Sequence, residues 1–115
     1  MPRIKVLIEW PEQVVLPETA RARVTVEDVS AMDAESIVVA ERVIEDLRTD
    51  APLMTEIDVP HVDQRSDFVV RVHVSSARRS IRQVEPGDLL STQSHPVLTQ
   101  GHGASVVVRP QRVGP

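Results

Sequence analysis

Four histidines and seventeen carboxylates are the side chains through which this 115-residue chain would most readily do chemistry. The most suggestive stretch is Ser94-His95-Pro96-Val97-Leu98-Thr99-Gln100-Gly101-His102-Gly103, where two imidazoles flank a proline and a glycine pair. Zinc sites need closely spaced ligands held in a fixed tetrahedral geometry. His95 and His102 stand seven positions apart with a proline between them and no third ligand nearby. His61 and Asp63 would add two donors, but they fall in a polar stretch where such side chains are ordinarily solvated. The segment therefore predicts a bent strand and a turn. Pro96 lacks the ladder donor, which an edge strand or a bulge tolerates, and Gly101 and Gly103 give the backbone freedom for a hairpin into the final strand. No metal and no cofactor is expected.

Other reactive constellations are equally sparse. Cysteine is absent, so the chain has no disulfide, no thiolate ligand and no thiol nucleophile. No G-x-S-x-G elbow, glycine-rich phosphate loop or H-E-x-x-H occurs in the sequence. Glu27-Asp28 and Glu45-Asp46 are adjacent pairs; if both lie in strands, their members point to opposite faces and cannot share a substrate. No enzymatic activity is expected. Arg78, Arg79 and Arg82 form a short basic run without the interleaved aromatics on which bases stack. Residues 1–67 hold 15 acids against 7 bases, a charge of −8, whereas residues 68–115 hold 2 acids against 6 bases, a charge of +4. That acidic first part argues against nucleic acid as a partner.

The elements that would position these groups read as strands. Valine occurs 21 times, while Trp10 and Phe68 are the only aromatics, and β-branched side chains suit a pleated sheet better than a helix. Period-two alternation runs from Arg3 to Trp10, with Ile4, Val6, Ile8 and Trp10 on one face. It resumes over Arg21 to Val29, with Ala22, Val24 and Val26 inward and Arg21, Arg23, Thr25 and Glu27 outward. Leu53 to Val59 and Phe68 to Val74 follow, the latter with Val69, Arg71 and His73 on its outer side. Leu89 to His95 and Ala104 to Val113 complete the series. Residues 36–44 are read as a strand because Ile37-Val38-Val39 is a β-branched run, with a helix entered at Asp33-Ala34-Glu35-Ser36 as the alternative. The expectation is a single all-β domain over residues 1–115, in which about seven strands pack as a two-sheet β-sandwich or curl into a barrel. The longest apolar run is four residues, far short of the ~20 needed for a spanning helix.

In order along the chain, Val15-Leu16-Pro17, Val24-Thr25-Val26-Glu27-Asp28-Val29-Ser30, Asp33-Ala34, Val38-Val39-Ala40-Glu41 and His95-Pro96-Val97-Leu98-Thr99-Gln100-Gly101 resemble the YbaY and YscW family. The likeness spans about residues 4–113, and its most specific parts are the LP…DVS…DA…AE series and the PVLTQG segment. The resemblance implies a small bacterial lipoprotein with a prealbumin-like or immunoglobulin-like sandwich. For the YscW branch it implies a pilotin, a chaperone that helps a secretin ring reach and assemble in the outer membrane. Relatives often carry acidic, glycine-rich residues over the segment corresponding to Ser75–Gly87, where this chain reads SSARRSIRQVEPG, and its three arginines would repel calcium. The sequence as it stands carries no signal-peptide run and no cysteine for a lipid, which predicts a cytoplasmic location, or a periplasmic or outer-membrane-associated one if a leader has been removed.

The functional expectation is a non-enzymatic protein-binding module, pilotin-like, serving a secretion or envelope component; the alternative is a β-sandwich that binds a small molecule. Partner capture or self-association is expected at a C-terminal sheet edge, Ser91 to Thr99, which is weakly protected by charge. Ser91, Gln93 and Leu98 would make contact there, with Arg78, Arg79 and Arg82 steering an acidic partner.

Overall fold

The alternation of Ile4, Val6 and Ile8 with Arg3, Lys5 and Leu7 produces β1 (Arg3–Ile8), whose three even positions are completely buried. The computed structural model describes residues 2–31, 34–75, 84 and 86–113. It continues with β2 (Arg21–Asp28), β3 (Ile37–Ile44), β4 (Leu53–Asp58), β5 (Phe68–Ser75), β6 (Leu89–Leu90), β7 (Pro96–Val97), β8 (Ser105–Val108) and β9 (Gln111–Arg112). Every regular element among the described residues is a strand. In the three-stranded sheet β1 lies between β4, antiparallel, and β8, parallel. The six-stranded sheet runs β3-β2-β5-β6-β9, with β7 pairing the first residues of β5 and β6 its later ones.

The two sheets bury their inward faces in one core. Ile4, Val6, Ile8 and Ile57 of the small sheet join Ala22, Val24, Val26, Phe68, Val70, Val72 and Val74 of the large one. Residues 36–44 form the strand expected of them, beginning at Ile37. Both sheets are accounted for by the alternation, so the β-sandwich reading holds.

Several details differ from the sequence reading, each for a local reason. The stretch Leu89 to His95 is not one strand: after Leu90 the hydroxyl of Ser91 accepts the Val72 N–H at 3.1 Å, the chain stands off, and pairing resumes at Pro96. Ala104 to Val113 also divides, because Pro110 has no N–H for a ladder; β8 ends at Val108 in the small sheet and β9 joins the large one. These two breaks turn about seven strands into nine. Trp10 lies beyond β1, half-buried, with its indole N–H donating to the Ala51 carbonyl at 3.0 Å. Glu45 and Asp46 sit in the turn after β3, where Asp46 has φ 56°, rather than in a strand.

The outward face of the large sheet is not a simple solvated surface. Thr25, Glu27, His73 and Ser75 are all buried there. Their cover is polar: Arg23 pairs with Glu41 at 2.7 Å, Arg71 with Glu27 at 3.3 Å, and Thr25 donates to Glu27 at 2.7 Å. Burial favours the uncharged form of Glu27, but hydrogen bonds from Ser36 and Thr25 and the charges of Arg71 and Arg23 together hold its pKa below the usual glutamate value.

Candidate partner-binding site

The gap between β6 and β7 shapes a concavity on the large sheet. Arg71 of β5 has no strand residue opposite it on that side, because the chain from Ser91 to His95 bows away between its two anchor points. Those anchors are backbone bonds: Ser91 N–H donates to the Val72 carbonyl at 2.9 Å, and Val70 N–H donates to the His95 carbonyl at 2.9 Å. Between them Thr92, Gln93 and Ser94 form an exposed polar lobe. The lobe walls a hollow of about 290 Å³ whose other sides are Val29, Val69, Val70 and Arg71.

A second hollow, of about 190 Å³, adjoins it and shares Val29, Val69 and Ser94. It extends past Pro96 to Gln100 and His102. Together they make a groove lined by valines and by hydroxyl and amide side chains, with Arg71 in the first hollow and Asp67, Phe68 and His102 in the second. Such a lining can hold apolar side chains and hydrogen-bond a polypeptide backbone.

Of the residues singled out from sequence, Ser91 and Gln93 come together in this groove. Ser91 is not at an open edge, since both its N–H and its hydroxyl engage Val72 of β5. Leu98 lies apart, packed against the core in a left-handed conformation with φ 70°. Arg78, Arg79 and Arg82 lie outside the described residues. Val29, Val69 and Arg71 were missed as groove residues. Val69 gave the one sequence signal, an apolar residue on the outward side of Phe68-Val69-Val70-Arg71-Val72.

The histidine segment resolves as a turn. His102 N–H donates to the Thr99 carbonyl at 3.1 Å, Leu98 N–H to the Gly103 carbonyl at 2.9 Å, and Gly101 has φ 85°. The buried Thr99 hydroxyl donates to the Ser66 carbonyl at 2.6 Å, which fastens the turn to the loop before β5. Among the described residues no three histidine, aspartate or glutamate side chains gather at metal-binding range. Burial holds the His95 pKa below the usual imidazole value.

Compared with known families, residues 1–109 match the model of the type III secretion system lipoprotein chaperones, YscW. The chain belongs to the YscW family. No curated protein matches it significantly. Among solved structures, an alternative pilotin from the type II secretion system of Vibrio cholerae is similar in fold, with a TM-score of 0.78 over 98% of this chain and 97% of that one. Their identity is 19%, so this likeness concerns fold alone. The family match takes in every strand from β1 to β8, and with them the whole groove of this YscW-family chain. No helix among the described residues is long and apolar enough to cross a membrane.

Proposed function

We propose that this YscW-family chain is a non-enzymatic, pilotin-like assembly chaperone that holds a segment of a secretion or envelope component in the groove beside Thr92-Gln93-Ser94. The match over residues 1–109 carries this reading. The groove supports it chemically, because valine side chains beside hydroxyls and amides can hold the side chains and the backbone of a polypeptide. The partner would be met at the cell envelope, where lipoprotein chaperones of this family act. Arg78, Arg79 and Arg82 would steer acidic partners by charge.

A pull-down from the native organism, followed by mass spectrometry, tests the proposal with three forms of the protein. Wild type should enrich a secretion or envelope assembly component. Ser94→Trp together with Gln93→Arg, both exposed positions, should abolish that enrichment while leaving the fold intact by circular dichroism. Replacing the three arginines by glutamate should weaken capture and flatten its salt dependence. Enrichment that survives the groove substitutions would refute the groove; enrichment of metabolic enzymes alone would refute the chaperone reading.

A further inference from the structure

The outer face of the small sheet is ordered into rows by its register. Arg3 lies beside Asp58, Lys5 between Glu56 and Ser105, and Leu7 between Met54 and Val107. One step further along, Glu9 takes Arg109 in an ion pair of 2.8 Å. The middle row is an apolar stripe crossing all three strands. Met54 is 56% exposed and Val107 42%, and with Leu7 and Lys5 they border a hollow of about 210 Å³. Lys5 forms no ion pair among the described residues, because Glu56 opposite it is held by Arg3 at 3.3 Å.

We propose that this stripe is a contact between two copies of the chain, related by a twofold axis running along Met54, Leu7 and Val107, across the strands. An isologous contact of this kind places Leu7 against Leu7 of the second copy. It also sets each Lys5 over Glu9 of the other copy, since the two residues stand equally far from Leu7 along β1 and on the same face. Ser105 then faces Arg109 of the second copy, and no like charges meet in these rows. Charge selects the axis: one laid along β1 instead would stack Lys5 on Lys5 and Arg3 on Arg3. The two small sheets would pack face to face at ~10 Å, as sheets do in sandwiches.

The long edge strand β3 is a poorer contact despite its exposed Ile37, Val38 and Val43. Its register slips where Val26 gives way to Glu27, and it carries Glu41 and Arg42, features that discourage edge pairing. Three strands spaced ~4.8 Å apart offer well under the ~800 Å² per partner of a standard interface. The dimer is therefore weak, dissociating at roughly 0.1 mM.

Sedimentation equilibrium up to about 1 mM protein, a concentration where such a constant is measurable, tests the proposal. Wild type should show a reversible monomer–dimer equilibrium. Met54→Glu and Val107→Glu, both at exposed positions, should each weaken it by about tenfold. Lys5→Glu and Glu9→Lys should each weaken it, and the double charge swap should restore it. A wild type that remains monomeric throughout overturns the proposal, as does a double swap without rescue or a loss caused by Val38→Glu instead. Binding to phosphatidylglycerol vesicles that Val107→Glu abolishes, with the protein monomeric in solution, would assign the stripe to a lipid surface and also overturn it.

Discussion

The His73 imidazole and the Asp88 carboxylate meet at 2.8 Å, Nε2 to Oδ2, with both side chains almost wholly withdrawn from water. His73 lies in β5 and Asp88 immediately precedes β6, so the contact fastens the two ends of the connection between these strands. Val113 N–H donates to the Asp88 carbonyl at 2.7 Å, and Gly87 N–H donates to the Val113 carbonyl at 2.8 Å, which adds the chain's last described residue to the same knot.

Removing either side chain deletes a hydrogen bond between two buried groups. His73→Ala or Asp88→Ala should each destabilise the fold by about 3 kcal/mol, while replacing both residues by leucine should cost less than the two single changes combined. Urea denaturation of the four forms measures both quantities. Additive losses would mean that the two groups act independently.

Glu27 should give the fold an acid limit. Its carboxyl is held below the value of 4.5 that describes an unperturbed glutamate, so its contribution to stability is complete above about pH 4.5 and is lost as the pH falls through the lowered native value. Glu27→Gln should be less stable than wild type near neutrality and should show a shallower loss on acidification. Denaturation midpoints collected between neutral and acid pH check this, and parallel curves would exclude Glu27 as the cause.

The His95 carbonyl accepts the Val70 N–H that anchors one end of the polar lobe. Burial lowers the pKa of the His95 imidazole below 6.5, so the unfolded chain takes up the proton first. The native state should therefore lose stability as the pH falls below about 6.5, and His95→Gln should remove that part of the slope. A ring titration followed by NMR should place the midpoint under 6.5; a higher midpoint contradicts the prediction.

The turn before β8 concentrates unfavourable backbone. Leu98, Gln100 and Gly101 have φ of 70°, 57° and 85°. A β-carbon at Gly101 meets nothing within 4 Å, so only its left-handed conformation opposes a side chain there. Gly101→Ala should cost about 1 kcal/mol, whereas Gln100→Gly should be neutral or stabilising. Thermal denaturation distinguishes the two, and equal effects would show that the turn relaxes.

Period-two alternation made β1, β2, β4 and β5 and their inward faces legible, because a pleated strand must turn alternate residues toward the core, whereas β3 was legible from its β-branched run Ile37-Val38-Val39. The same rule left Thr25, Glu27 and His73 on an outer face assumed to be solvated. Their burial depends on arginines and hydroxyls converging from neighbouring strands, which no single strand reveals. Leu89 to His95 was legible as a strand but not as one that ends at Leu90, since the break hinges on the Ser91 hydroxyl replacing a carbonyl as the acceptor for Val72 N–H. The groove follows from that break, so its valines and Arg71 stayed hidden while Ser91 and Gln93 did not.

The parallel pairing of β1 with β8 sets Lys5 against Ser105, almost the whole length of the chain apart. A ribosome delivers β1 long before β8, and contacts so distant in sequence form slowly. Throughout synthesis the small sheet has only β4 to lean on, and Ile4, Val6 and Ile8 wait with one flank of their strand unpaired. A nascent chain that stalls before Ser105 consequently exposes an unfinished apolar strand edge, which invites holdase chaperones, proteolysis or aggregation.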